Sequence, residues 1–210
     1  MTKKILIADD HSAIRNGVKL ILSNEFSNIE FGEAINAKEV FKKVKEKKWD
    51  ILILDMDMPG RSGLEVLKQL KDEKEDIRVL MFSMHPEEQV ALRALKSGAF
   101  GYLSKDTADT ELVIAVHQIM DGKKYITPAV AEMLASQLEN PDNKAPHEFL
   151  SDREYQTLLL IASGKTISEI AEELSLSVPT VSTYRARILE KTGMKTSAEL
   201  TRYAIRNNLV

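Results

Sequence analysis

Short apolar runs recur at regular intervals in the first part of the chain. The runs at 5–8, 51–54 and 79–82 are continuous rather than alternating with polar residues, which is typical of strands buried on both faces of a sheet. Weaker strand candidates lie at 29–32 and 100–103. Together these runs predict five strands.

Stretches with helical periodicity follow the runs, at 13–25, 37–47, 63–72, 87–97 and 109–121. Strands that alternate with helices form βαβ units, whose right-handed crossovers require a parallel sheet. Gly98 and Gly122 close the last two helical stretches, where a left-handed C-terminal cap favours glycine. The pattern predicts the α/β class, with a doubly wound, five-stranded parallel sheet.

A different pattern begins after Gly122, where no further strand is indicated. A helix is expected after Pro128, because proline suits the first helical turn. The segment 139–146 is polar, contains two prolines and has no periodicity, which is typical of a linker. Beyond it, capping residues and periodicity predict only helices, at 151–163, 167–174, 177–191 and 198–207.

The length of 210 residues suits one large domain or two modest ones. We predict an α/β domain at 1–122, a helix and linker at 123–147, and an all-α domain at 148–210. The chain has no cysteine and only four scattered histidines, which excludes a disulfide scaffold and argues against a zinc hydrolase. No apolar run could span a membrane, and no signal sequence precedes the first strand, so we expect a cytoplasmic protein.

Polar side chains with related chemistry follow the predicted strands. They are Asp9 and Asp10 after the first run, Asp55 and Asp57 after the third, Ser83 after the fourth and Lys105 past the fifth. Because the carboxyl ends of parallel strands meet at one edge, these groups should lie together. Crowded carboxylates favour a hard cation such as Mg²⁺, and one of them could attack phosphorus to give an aspartyl-phosphate. Taken singly, each residue is explained as well by a cap, a turn or the surface.

The same residues stand within longer motifs, LDMDMPG at 54–60, GAFGYL at 98–103 and KD at 105–106. With these motifs and their spacing, residues 1 to about 122 resemble a CheY-like receiver domain. The resemblance implies that Asp55 is the phosphoacceptor.

The resemblance also implies roles for the neighbouring side chains. Asp10, Asp55 and the backbone carbonyl of Asp57 would ligate Mg²⁺, with Asp9 acting through water. Ser83 and Lys105 would bind the phosphoryl oxygens, and Tyr102 occupies the position of an aromatic switch.

An apolar strand followed by Asp-x-Asp also begins the sites of haloacid-dehalogenase-like phosphatases. That alternative predicts the Asp-x-Asp on the first strand and an acidic pair late in the chain. Here Asp55 and Asp57 follow the third strand, and the acidic pair follows the first. Repeated turnover of a phosphate ester would distinguish the phosphatase from a receiver, which is labelled once.

The net charge of −3 hides a polarised C-terminal region. Residues 147–173 carry six acids and two bases, whereas residues 174–210 carry six bases and two acids. A helical module with one basic side is expected for a protein that binds duplex DNA, although a solvated amphipathic bundle would have the same composition. A short helix, a turn and a second helix beginning near Pro179 match helix-turn-helix spacing.

The block from 150 to 191, with LSDRE at 150–154 and TVSTYR at 180–185, resembles the LuxR/NarL-type DNA-binding domain. The resemblance implies that Ser182, Thr183 and Ala186 face the bases. It also implies that Arg185, Arg187 and Lys191 bind phosphates and that Thr180 is a further DNA-binding residue.

Combined with the receiver, the chain is similar to a two-component response regulator of the NarL/FixJ type, closest to the BvgA/EvgA-like branch. The resemblance implies a transcription regulator rather than an enzyme. It would accept a phosphoryl group from a sensor histidine kinase, form a homodimer and bind double-stranded DNA.

On phosphorylation, Ser83 would move towards the phosphoryl group and Tyr102 would repack inward. The linker around 141–146 would let the inactive receiver cover the recognition helix. An alternative stays open, in which the protein acts through protein contacts and the helical domain serves only as a dimer module.

Overall fold

Parallel strands form the centre of the first part of the chain. The computed structural model describes residues 2–85, 87–139, 145–207 and 209–210. Its strands are β1 (Lys3–Ala8), β2 (Ile29–Ala34), β3 (Ile51–Asp55), β4 (Arg78–Ser83) and β5 (Gly101–Ser104). All neighbours pair in parallel, in the order β2-β1-β3-β4-β5. The predicted α/β class and five-stranded sheet are therefore confirmed.

The continuous apolar runs are buried because both faces of the sheet are covered. Ile5, Ile53 and Phe82 belong to a core cluster that also contains residues of the first and fifth helices. Side chains of neighbouring strand residues point to opposite faces, and Leu6 and Leu52 are fully buried on the other side.

The helices of this part follow the strands as the periodicity predicts. They are α1 (Ser12–Glu25), α2 (Ala37–Glu46), α3 (Gly63–Asp72), α4 (Glu87–Lys96) and α5 (Ala108–Met120). Gly98 and Gly122 have φ values of 97° and 79°, which confirms the left-handed conformation expected after α4 and α5.

A segment after α5 packs onto the edge of the sheet. The backbone N–H of Tyr125 donates to the carbonyl of Phe100 at 2.8 Å, and Tyr125 forms an isolated bridge with Gly101. Helix α6 (Pro128–Glu139) follows and begins at the predicted proline. The chain divides into two units, Met1–Leu134 and Ala135–Val210, with the division inside α6.

The second unit contains only helices among its described residues. They are the end of α6, a short 3-10 turn (Pro146–Phe149), α7 (Asp152–Ala162), α8 (Ile167–Glu173), α9 (Val178–Thr192) and α10 (Ser197–Arg206). The capping box of Ser151 and Glu154 begins α7 as expected. Ile170 and Ala171 on α8 and Val181 and Ile188 on α9 are buried.

Leu189 on α9 is only half-buried, since it lies one position beyond the buried Ile188 and so outside the stripe that faces the other helices. Most of the predicted linker, residues 140–144, lies outside the described residues.

No helix in the described parts of the chain is long and apolar enough to cross a membrane.

Candidate functional site

The carboxyl ends of β1, β3 and β5 bring an ammonium group between two carboxylates. Lys105 begins a short 3-10 turn directly after β5, and its Nζ lies 2.7 Å from Asp9 Oδ2 and 2.9 Å from Asp55 Oδ1. Asp9 and Asp55 are 1% and 2% exposed. The sheet topology alone sets this arrangement, since the three residues are far apart in sequence.

Burial dominates the acid–base behaviour of Asp55 and raises its pKa to about 6; Lys105 opposes this rise, and Asp9 and Asp57 add to it. Burial would lower the pKa of Lys105, but Asp55 and Asp9 outweigh it and raise that pKa. At neutral pH the pair is therefore a carboxylate beside an ammonium, which leaves the Asp55 oxygens available as nucleophiles.

The acidic loop after β1 has the chemistry of a cation site. Asp9, Asp10 and His11 each offer one ligand atom, and these atoms lie within 4.8 Å of one another. Asp9 Oδ2, Asp10 Oδ1 and Asp55 Oδ1 are buried, with Lys105 Nζ as the neighbour of the Asp9 and Asp55 oxygens and His11 Nδ1 as the neighbour of the Asp10 oxygen. Lys105 offsets only one of the two charges of Asp9 and Asp55, and Asp10 on the same loop as Asp9 adds a third. The site therefore keeps excess negative charge, and hard oxygen ligands of this kind fit Mg²⁺.

Ser83 and Tyr102 meet at the loop after β4. Ser83 is fully buried, and its Oγ accepts a hydrogen bond from the backbone N–H of His85 at 3.2 Å. Tyr102 is 3% exposed, and its hydroxyl donates to the His85 carbonyl at 2.6 Å. The ring of Tyr102 lies inside in this structure, where the His85 carbonyl accepts from its hydroxyl; its expected movement on phosphorylation stays a prediction.

The structure adds three residues that the sequence did not single out. Arg15 donates from Nη1 to the carbonyl of Asp9 at 2.9 Å and from Nε to Glu33 at 2.8 Å, so it fixes the acidic loop. His11 Nδ1 lies 3.0 Å from Asp10 Oδ1, and His85 Nε2 lies 3.1 Å from Asp57 Oδ2. The position of His11 beside Asp10 was a usable signal, whereas Arg15 and His85 reach the site only through the fold.

Helix α9 presents the residues for which DNA contacts are expected. Ser182, Thr183, Ala186 and Arg187 are exposed. Thr180 is half-buried, and its hydroxyl lies 2.7 Å from that of Ser177, whose side chain caps the helix. The first turn of α9 is thus held in place, while one side of its next turns, at Ser182, Thr183, Ala186 and Arg187, faces solvent.

Two of the predicted phosphate-binding side chains have partners inside the second unit. Arg185 Nε donates to Ser197 Oγ at 2.8 Å, which holds the guanidinium against the start of α10. Lys191 Nζ lies 2.6 Å from Glu154 Oε2, with Lys191 at 40% and Glu154 at 3% side-chain exposure. Lys191 therefore also connects α9 to the N-terminus of α7.

Comparison with known proteins agrees with this geometry in both units. A family model described as the response regulator receiver domain matches residues 5–117. A second, described as bacterial regulatory proteins of the luxR family, matches residues 148–204. Both families consist of regulatory proteins, which decides against the phosphatase alternative.

Similarity extends over nearly the whole chain. Response regulator UvrY of Escherichia coli (strain K12) is 35% identical, with 98% of this chain and 94% of that protein covered. Response regulator GacA of Pseudomonas syringae pv. syringae (strain B728a) is also 35% identical, with 99% and 97% covered. Neither name bears on the resemblance to the BvgA/EvgA-like branch, which stays a prediction.

A solved structure has the same fold at lower identity. It is RcsB from Salmonella enterica serovar Typhimurium, bound to promoter P1flhDC in the presence of the phosphomimetic BeF3⁻. It is 22% identical, covers 97% of this chain and 98% of its own, and has a TM-score of 0.66. From the two family matches and the relatives, this chain belongs to the response regulators, with a receiver domain followed by a LuxR-type DNA-binding domain.

Proposed function

We propose that this chain is a transcriptional regulator whose DNA binding is switched by phosphorylation of Asp55. The observation that carries the proposal is the buried Asp55 carboxylate, with Lys105 Nζ 2.9 Å from its Oδ1 at the carboxyl edge of the sheet. An aspartate that served only as a helix cap or turn residue would be exposed, and it would not share a buried lysine with a second carboxylate.

The phosphoryl step uses the carboxylate directly. An Asp55 oxygen forms a bond to phosphorus, and the bond from phosphorus to the donor, a phosphohistidine of a sensor kinase or a small acyl phosphate, breaks with its electron pair leaving on the donor. Lys105 already lies against Asp55, so its ammonium can pair with a phosphoryl oxygen without a large movement.

We propose that Mg²⁺ binds to Asp10, Asp55 and the backbone carbonyl of Asp57, with Asp9 acting through water. The bound ion supplies charge neutralisation for the phosphoryl oxygens. Arg15 keeps the carbonyl of Asp9 in place at 2.9 Å and so orients the loop that carries two of these carboxylates.

The switch is proposed to begin at Ser83. Its Oγ now accepts a hydrogen bond from the N–H of His85, and a hydroxyl turned towards a phosphoryl oxygen would change that contact. His85 also holds the Tyr102 hydroxyl through its carbonyl. Ser83, His85 and Tyr102 thus form one hydrogen-bonded unit, which a phosphoryl group can bias towards a second arrangement.

DNA binding is assigned to α9. Its exposed small residues Ser182, Thr183 and Ala186 are short enough to approach base edges in a major groove. Arg187, together with Arg185, Lys191 and Thr180, is proposed to contact the DNA backbone. RcsB, which shares the fold, is described as bound to promoter DNA in the presence of a phosphomimetic. That description supports a link between phosphorylation and DNA binding in this chain.

We propose that the chain consists of a receiver at 1–122, a helix and linker at 123–147 and a DNA-binding domain at 148–210. Phosphorylation then takes place in the first domain and DNA binding in the last. We propose a sensor histidine kinase as phosphodonor, double-stranded DNA as target, a homodimer as the phosphorylated form and the cytoplasm as location. A regulator that worked through protein contacts alone would not retain duplex DNA.

The phosphoacceptor is tested by replacing one carboxylate. Asp55→Asn should abolish the gain of one phosphoryl mass when the chain is incubated with acetyl phosphate and Mg²⁺, because the amide oxygen is a far weaker nucleophile. Intact-protein mass spectrometry measures the gain. Asp72→Asn, at an exposed position at the end of α3, is the matched control and should be labelled like the wild type; persistent labelling of Asp55→Asn would overturn the assignment.

A further inference from the structure

One hydroxyl connects the start of α4 with the start of α6. Thr127 Oγ1 donates to Glu87 Oε2 at 2.9 Å, and Glu87 is the first residue of α4. The same oxygen accepts a hydrogen bond from the backbone N–H of Val130 at 3.3 Å. The Thr127 carbonyl accepts from Ala131 N–H at 2.9 Å, so Thr127 caps α6 while it binds α4.

The α4 end of this contact lies next to the candidate phosphorylation site. Glu87 is two residues beyond His85, which binds Ser83 Oγ through its N–H and the Tyr102 hydroxyl through its carbonyl. A shift of Ser83 that moves His85 therefore also moves the residue that holds Thr127.

The other side of Thr127 is fixed to the sheet. Tyr125 is 4% exposed, its N–H donates to the Phe100 carbonyl at 2.8 Å, and its hydroxyl donates to Glu111 Oε2 at 2.7 Å. The chain is anchored at Tyr125, just before Thr127. A displacement of Glu87 therefore acts on Thr127 and the start of α6.

We propose that the hydrogen bond between Thr127 and Glu87 is a latch that makes the start of α6 depend on the state of the loop after β4. Helix α6 continues along the chain towards the DNA-binding domain, so the latch couples phosphorylation to the tether of that domain. This inference rests on the proposed function, because it names the contact through which the same site regulates DNA binding.

The test compares DNA affinity of the full chain with and without beryllofluoride in four variants. Glu87→Ala removes the acceptor of the latch and leaves the side-chain cap of α6. Thr127→Val removes the latch and that cap. Thr127→Ser keeps the latch and the cap and is the matched control. Glu87→Ala/Thr127→Val completes a double-mutant cycle. Labelling of Asp55 by acetyl phosphate, measured on the same samples, should match the wild type and shows that the receiver is folded.

The latch predicts that Glu87→Ala and Thr127→Val each reduce the beryllofluoride-dependent gain in DNA affinity by about fivefold or more. The double variant should lose no more than Thr127→Val alone, and Thr127→Ser should keep the wild-type gain. An unchanged gain in Glu87→Ala, or additive losses in the double variant, would overturn the latch. A wild type whose affinity does not respond to beryllofluoride would overturn the proposed function together with the latch, so the two failures are distinguishable.

Discussion

At Glu154 a single carboxylate joins two helices of the second unit. It accepts hydrogen bonds from the N–H of Ser151 at 2.8 Å, which caps α7, and from Lys191 Nζ on α9 at 2.6 Å. The side chain of Glu154 is 3% exposed. Lys191 therefore serves stability as well as its proposed DNA contact, and its removal alone would not separate the two roles.

The pH dependence of stability tests this pair. Burial would raise the pKa of Glu154, but the hydrogen bonds from Lys191 and Ser151 outweigh it and lower the pKa below its ordinary value of 4.5. A lowered pKa in the folded state means that the carboxylate stabilises the fold above the unfolded pKa. That stabilisation is lost as the pH falls through the folded pKa.

Glu154→Gln should thus lower the free energy of unfolding at neutral pH by about 1 to 2 kcal/mol, because a hydrogen bond to a charged group is lost. Urea unfolding followed by circular dichroism measures the loss, which should shrink as the pH falls below the ordinary carboxyl pKa. Glu172→Gln, at an exposed position on α8, is the control and should change stability little at any pH. A loss for Glu154→Gln that stays constant on acidification would contradict the ion pair.

At the scale of elements, α9 offers a direct test of the proposed DNA face. Arg187→Gln should weaken binding to duplexes of different sequence by a similar factor and reduce the slope of log affinity against log salt by about one. The reason is that Arg187 is exposed on α9 and is proposed to replace one counterion on the DNA backbone. Fluorescence anisotropy across a salt series measures both quantities.

Arg206→Gln is the matched control, since it removes the same charge from an exposed position on α10. It should leave the slope near that of the wild type. Equal effects of the two substitutions would show that the module binds DNA through its overall charge and not through the face of α9.

Element positions were predictable because local patterns determine them. The continuous runs predicted β1, β3 and β4 as buried strands, and the strand order of βαβ units predicted that Asp9, Asp55 and Lys105 would meet. Contacts made only in the folded chain were not predictable. The pairing of Lys191 with Glu154 joins residues 37 positions apart, and the inward position of Tyr102 depends on a backbone carbonyl two residues beyond Ser83. Neither has a sequence pattern of its own.

At the scale of the whole molecule, the net charge of −3 averages two units with different tasks. The first holds buried carboxylates around Lys105, which suit a cation and a phosphoryl group. The second places six bases and two acids in residues 174–210. A response regulator needs this separation, because the acidic site that accepts the signal would repel DNA if it lay on the DNA-binding face.

The state of Asp55 is proposed to control the affinity of the other unit for DNA. The measurement is the dissociation constant for a duplex that the wild-type protein has retained from a pool of genomic DNA fragments. It is determined with and without beryllofluoride, for the wild type and for Asp55→Asn. If Asp55 has this role, beryllofluoride tightens DNA binding by the wild type and leaves the affinity of Asp55→Asn unchanged. Equal tightening in both proteins, or no DNA retention by the beryllofluoride-treated wild type, would contradict it.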